Sequence, residues 1–196
     1  MNDWRYNINE RVNKMDINRF IENVNNVDWQ KFDDAEYFKY RYDGINSFAQ
    51  TVPPILIALA AVDKESDELY RLGSKVRFAI GNDHRGTYYP VIREVLPFII
   101  EVALYGNHSE SRTCAICVIE DLYFFYPEIY PEDDSNELLK NELLEFVETT
   151  IKNLIAEHRE NLLDFASGNQ CEKLIEGFLS IVDEKERLNI DETHDQ

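Results

Sequence analysis

From Asp16 onward, apolar residues recur at helical spacing: Ile17, Phe20, Ile21 and Val24 mark one face of a short first helix, with Asp16 placed as its N-cap. Asn25-Asn26 breaks that helix. Asp33-Asp34 is placed to cap a second short helix, rich in aromatics at Tyr37, Phe38, Tyr40 and Tyr42, and Asp43-Gly44 is a turn signal. Ile45 to Val62 reads as an apolar helix with Pro53-Pro54 inside it, where proline removes a backbone donor and bends the helix. A more polar helix follows, with Leu69, Leu72, Val76 and Ala79 or Ile80 on one face, and Gly81-Asn82 ends it.

Asp83-His84-Arg85-Gly86 then forms a polar turn, with Thr87 as an N-cap and Pro90 in the first turn of the next helix. Val91, Val95, Phe98 and Val102 form its buried stripe, widened by Ile92 and Ile99, and Pro97 should kink it by freeing the carbonyl of Arg93. Gly106-Asn107 stops it. Ser111 to Tyr126 is apolar on nearly all sides, which predicts a helix buried between neighbours, with Phe124 and Phe125 in the core.

After Pro127 and Pro131, Asp134 and Glu137 have the spacing of a capping box. Apolar positions from Leu139 to Phe165 then hold a period near 3.6, as one long helix over 136–166 or a closely packed pair. Cys171, Leu174, Ile175, Phe178, Leu179 and Val182 make a final amphipathic helix, and the charged end of the chain is expected to fray. No segment alternates in a strand-like way between turn signals, so the expected fold is all-α.

The pattern also repeats. Val52-Pro53-Pro54-Ile55-Leu56-Ile57 matches Val95-Leu96-Pro97-Phe98-Ile99-Ile100 at an offset of 43 residues, the distance from Pro54 to Pro97. Two-helix repeats of the HEAT and armadillo kind have periods of roughly 40 to 47 residues. The expected architecture is therefore a single α-solenoid domain over 1–196: N-terminal helices at 1–42, two repeats at 43–126, C-terminal helices at 127–187 and a frayed tail at 188–196. Stacked pairs of this kind leave a concave surface that serves binding.

Charge changes the picture most. The 196 residues carry 38 Asp and Glu against 20 Lys and Arg, a net of -18. From Pro127 to Gln196 there are 19 acidic and 6 basic residues, whereas Glu68 to Tyr105 holds 4 and 5. Such a surface repels phosphate backbones, which argues against direct nucleic-acid binding, and steers a basic partner in. The N-terminus shows neither the basic start nor the apolar run of a secretory signal, and the apolar run Val52 to Val62 is shorter than the ~20 residues that span a bilayer. With three cysteines, Cys114, Cys117 and Cys171, reduced thiols in the cytosol are the simplest expectation, and the sequon at Asn107-His108-Ser109 then carries no meaning.

The candidate chemistry is thin. Asp83, His84 and Arg85 could supply a carboxylate, a base and a cation, but neighbours in a turn usually diverge, and a helix corner accounts for them: Asp83 caps backbone donors, Arg85 pairs locally and Gly86 permits the turn. Cys114-Ala115-Ile116-Cys117 has the spacing of half a zinc site without the other half, and core thiols explain it better. The sequence has no nucleophile elbow, phosphate loop or His-Glu-x-x-His motif. No catalytic residue, cofactor or metal is expected. What exceeds structural need is acid: Asp33-Asp34, Glu120-Asp121 and Glu132-Asp133-Asp134, with Tyr123, Tyr126, Glu128 and Tyr130 interleaved beside the last two. Large aromatics beside charge suit a binding surface, and Glu120 through Asp134 is the candidate partner-binding segment.

His84-Arg85-Gly86-Thr87-Tyr88-Tyr89-Pro90 followed by Leu96-Pro97-Phe98-Ile99 resembles the bacterial HEAT-like repeat proteins in which a His-x-Gly-Thr/Ser-x-Tyr-Pro turn leads into a helix carrying a Pro-Phe or Pro-His pair. The resemblance covers Asp43 to Tyr126. Several such proteins are immunity proteins of polymorphic toxin and contact-dependent growth inhibition systems. What it implies is a cytosolic, non-catalytic protein that neutralises one cognate toxin, with a basic nuclease, an RNase of the EndoU type, as the first candidate. Two other readings stay open: a HEAT-like scaffold for another protein, and a HEAT-like DNA glycosylase, which would need a basic groove that a net of -18 opposes.

Overall fold

A computed structural model describes residues 14–34, 47–63, 67–129, 136–167 and 171–194, with side chains from 71 and up to 184 in the helices that adjoin the undescribed stretches. The described chain is mostly helical: α1 Ile17–Asn26, α2 Gln30–Asp33, α3 Phe48–Ala61, α4 Asp67–Ile80, α5 Ile92–Tyr105, α6 Ser109–Phe124, α7 Glu137–Ala166 and α8 Glu172–His194. Three two-residue strands, β1 Gly81–Asn82, β2 Thr87–Tyr88 and β3 Tyr126–Pro127, complete it.

The local reasons are visible at the helix ends. Asp16 caps α1 by accepting from the backbone N–H groups of Asn18 and Arg19. Ser47 caps α3 from within the chain, and Asp33 caps it from outside, accepting from the N–H of Phe48 at 2.6 Å and of Ala49 at 3.2 Å. Asp33 thus ends α2 and secures α3. Tyr37 to Gly44 and Asp134, the other parts of those expected caps and turns, lie outside the described residues.

Helices pack in order. α3 lies against α4, α5 against α6 and α7 against α8. Across the pairs, α1, α3, α5 and α7 touch successively to form one layer, and α4, α6 and α8 form a second. Val52, Leu56, Leu59 and Ala60 are buried in α3, and the residues 43 positions later, Val95, Ile99, Val102 and Ala103, are buried in α5. The two proline-bearing helices therefore turn the same face to the core. A chain of rings reinforces this end of the core: Phe20 on Phe98 at 5.6 Å, Trp29 on Phe98 at 6.4 Å, Phe32 on Phe48 at 6.3 Å and Phe48 on Tyr89 at 6.1 Å. Such pairs contribute about 0.5–1.5 kcal/mol each beyond simple burial.

Two expectations are corrected, and one left open is resolved. The segment after Gly86 starts in a strand and not at a helix N-cap: β1 pairs antiparallel with β2, Gly81 opposite Tyr88, and β2 pairs parallel with β3, Thr87 opposite Tyr126. Two-residue strands are too short to show an alternating pattern, and the parallel partner is remote in sequence. Of the two readings left open for 136–166, a single helix or a packed pair, the single helix holds: α7 runs unbroken for 30 residues from Glu137 to Ala166. α8 runs on to His194 through the stretch expected to fray, since once nucleated a helix propagates cheaply through Glu, Lys, Arg and Leu.

Candidate partner-binding surface

The polar turn sits where the ends of α4 and α6 meet. Asn82 and Asp83 accept backbone bonds from Arg85 and Gly86, closing the turn, and Gly86 takes φ 65°, a left-handed conformation that costs glycine little. At Gly81 the reason for glycine is approach: a Cβ there would lie 1.9 Å from the carbonyl oxygen of Thr87. The carbonyls of Gly86 and Tyr88 then accept from the N–H groups of Tyr126 and Glu128, which fastens the segment after α6 to the turn.

The turn's side chains diverge. Asp83 points back to α4, His84 lies exposed and edge-on to Phe78 at 4.9 Å, and Arg85 reaches Glu128. Asp83 was expected to cap backbone donors. Instead its carboxylate takes Arg77 Nε at 2.6 Å, Arg77 Nη2 at 3.4 Å and the Ser74 hydroxyl at 2.5 Å. Arg77 is nearly buried, and its Nη1 lies 2.7 Å from Asp121 of α6. One guanidinium therefore holds two carboxylates from two elements.

Those carboxylates respond differently. Burial pushes the Asp83 carboxyl up, but the hydrogen bonds from Arg77 and Ser74 and the Arg77 charge outweigh it and hold it below the ordinary range. At Asp121 burial also pushes up, Arg77 offsets only part of that, and the negative charge of Asp83 adds to it, so the group stays above its ordinary value. Glu120 is likewise raised, by burial first and by Asp121 second. The corner thus has more negative charge than its one shared cation neutralises.

The candidate partner residues separate into two groups. Glu120 and Asp121 are half-exposed, and Tyr126 is 66% exposed. Tyr123 and Glu128 are corrected: Tyr123 is 2% exposed with its ring against Phe178 of α8, and Glu128 is 7% exposed, accepting from Arg85 Nη1 at 3.2 Å and from the Thr87 hydroxyl. Glu128 therefore serves the turn, and Arg85 pairs with it across 43 residues and not locally. Tyr130, Glu132, Asp133 and Asp134 lie outside the described residues. Phe124, expected in the core, is 49% exposed: the roughly 100° step between helical neighbours sends Tyr123 to α8 and Phe124 outward. Alternating exposure along one helix end was the signal available, but it needs the neighbouring helices to set its phase. Pro97 lies exposed inside α5, away from the turn.

Cys114 is buried against Gly73 and Cys117 half-buried. Burial drives both thiols up, Cys114 to about 12 and Cys117 to about 11. Among the described residues no group of three His, Cys, Asp or Glu side chains is arranged to hold a metal ion, and no helix is long and apolar enough to cross a membrane. Surface clefts of about 340 Å³, lined by Arg93, Glu142 and Phe146 among others, and about 330 Å³, lined by Ala58, Arg71 and Lys75 among others, lie away from Asp83, His84 and Arg85.

No protein-family model, curated protein or solved structure matches the chain.

Proposed function

We propose that this chain is a HEAT-like α-solenoid immunity protein that acts in the bacterial cytoplasm. It binds and neutralises a cognate secreted antibacterial toxin, a basic nuclease with an EndoU-type RNase as first candidate, by covering the substrate cleft with an acidic surface. It acts without catalysis or cofactor. The observation that carries this reading is the surplus of carboxylate at the corner of α4, α6 and the turn, where Asp83 and Asp121 share one buried arginine and Glu120 adds a further charge beside Asp121, in a chain of net charge -18. A cationic cleft would supply the missing counter-charge. The two-layer helix order and the 43-residue burial register support the solenoid part of the reading.

The test is inhibition. The nuclease encoded next to this chain is assayed with and without it, at low and at high salt. Stoichiometric inhibition that weakens as salt rises is expected; an undiminished nuclease at low salt refutes the reading.

A further inference from the structure

Arg77 against Asp121 sets the end of α4 level with the end of α6, and Tyr123 against Phe178, ring centroids 5.9 Å apart, sets that same level on α8. Each of the three helices of the second layer carries a large outward hydrophobic side chain near this level: Phe78 on α4, 37% exposed, Phe124 on α6, 49%, and Ile181 on α8, 38%. Each lies within one helical turn of those contacts, and by helix geometry they align as a row across the layer. Single exposed apolar residues are ordinary, but a transverse row on adjacent helices is a patch.

Charge lies along the same row. Glu120 and Asp121 share the outward side of α6 with Phe124, which follows them at i+4 and i+3. Glu120 has no ion-pair partner among the described residues, and the Asp121 side chain keeps 43% of its surface exposed beyond Arg77. The patch therefore offers rings flanked by carboxylates.

A cleft that holds single-stranded nucleic acid offers the complement: cations that track phosphates, and apolar or aromatic platforms on which bases stack at about 1–3 kcal/mol each. We infer that the row Phe78, Phe124 and Ile181 with Glu120 and Asp121 docks into such a cleft as a nucleic-acid mimic, carboxylates standing where phosphates bind and the apolar side chains where bases stack. This rests on the reading of the partner as a basic nuclease and narrows it to one that binds its strand unpaired. Neither charge nor apolar contact alone would suffice, because a purely acidic face would bind any cationic surface without discrimination.

The experiment uses the full chain and the catalytically inactive form of the nuclease encoded beside it, with a uridine dodecamer as competitor. Wild-type binding is expected to be displaced by the oligonucleotide. Phe124→Ser should weaken it at least about tenfold at every salt concentration, as for a central anchor. Glu120→Gln with Asp121→Asn should weaken it and flatten its salt dependence. Ile181→Ser is the second apolar probe, and a cooperative thermal melting transition shows that each variant folds. If wild type binds and all variants keep its affinity, or the oligonucleotide stays bound in the complex, the mimicry is wrong while the inhibitor reading stands. If wild type does not bind, the inhibitor reading fails and takes this inference with it.

Discussion

Arg77 and Asp83 are joined Nε to Oδ1 at 2.6 Å, with side-chain exposures of only 10% and 17%. The bond ties the last turn of α4 to the turn that follows it, and the same guanidinium reaches α6 through Asp121. Removing Arg77 strips Asp83 and Asp121 of their shared cation, whereas removing the Asp83 charge leaves Arg77 paired with Asp121. Arg77→Met is therefore expected to lower stability by about 3 kcal/mol, and Asp83→Asn by less, in urea unfolding. A double-mutant cycle should show coupling above about 1 kcal/mol; additive losses would mean that the pair contributes nothing.

Acid titration should separate the two kinds of carboxylate at this corner. Asp83, held below its ordinary 3.8, contributes stability that is present above that value and lost as pH falls through the lower native one. Glu120 has the opposite sign: its native value lies above the ordinary 4.5, so its ionisation costs stability as pH rises through that window. Glu120→Gln is expected to leave the melting temperature unchanged near pH 4 and to raise it at pH 7. A lower melting temperature at pH 7 would contradict the assignment.

The two turn glycines should fail differently. Gly81→Ala places a Cβ 1.9 Å from Thr87 oxygen and 2.7 Å from the Tyr88 Cα, both backbone atoms that cannot yield without opening β1 from β2. A loss of about 4 kcal/mol or more is expected. Gly86→Ala meets nothing closer than 3.5 Å and costs only the left-handed backbone, about 1–2 kcal/mol. Equilibrium unfolding of both variants checks the ranking, which reverses if backbone conformation matters more than space.

Tyr88 is fully buried, and its hydroxyl has no hydrogen-bond partner among the described residues. Burial, and then the charge of Glu148, push its ionisation well above the ordinary range, so the group stays a neutral, unsatisfied hydroxyl. Tyr88→Phe keeps the ring and removes that hydroxyl, and a gain of about 1 kcal/mol is expected in thermal or urea unfolding. A loss would place a partner on the hydroxyl.

The thiols should be slow. With Cys114 raised to about 12 and Cys117 to about 11, both remain protonated at pH 8, and the thiolate is the reactive form. Ellman's reagent is expected to label these two within minutes only after urea is added. Prompt labelling of native protein at Cys117, mapped by mass spectrometry, would show the face between α4 and α8 to be open.

Much of the helical plan was legible because burial in helices leaves a local period. Asp16, the stripes of α3 and α5 and the 43-residue offset needed nothing beyond spacing and the side chains' preference for one face. The divergence of the side chains of Asp83, His84 and Arg85 was legible too, since neighbours in a turn usually point apart. Its partners were not: Glu128 and Arg85 have no local signature, and the three short strands have no period to read.

The sequence by itself determined the helices, the acid surplus and the positions where glycine and proline punctuate them, because these depend on residues within a few turns of one another. Only the tertiary structure decided which end-of-helix side chains face outward. Tyr123 and Phe124 are adjacent and both aromatic, yet α8 takes one and leaves the other in solvent. Likewise Arg77 and Asp121 lie on different helices, and the packing that brings them to 2.7 Å leaves Phe78 and Phe124, close to them in sequence, exposed. Helix phase follows from the chain, but which face is covered depends on neighbours that arrive from far along it.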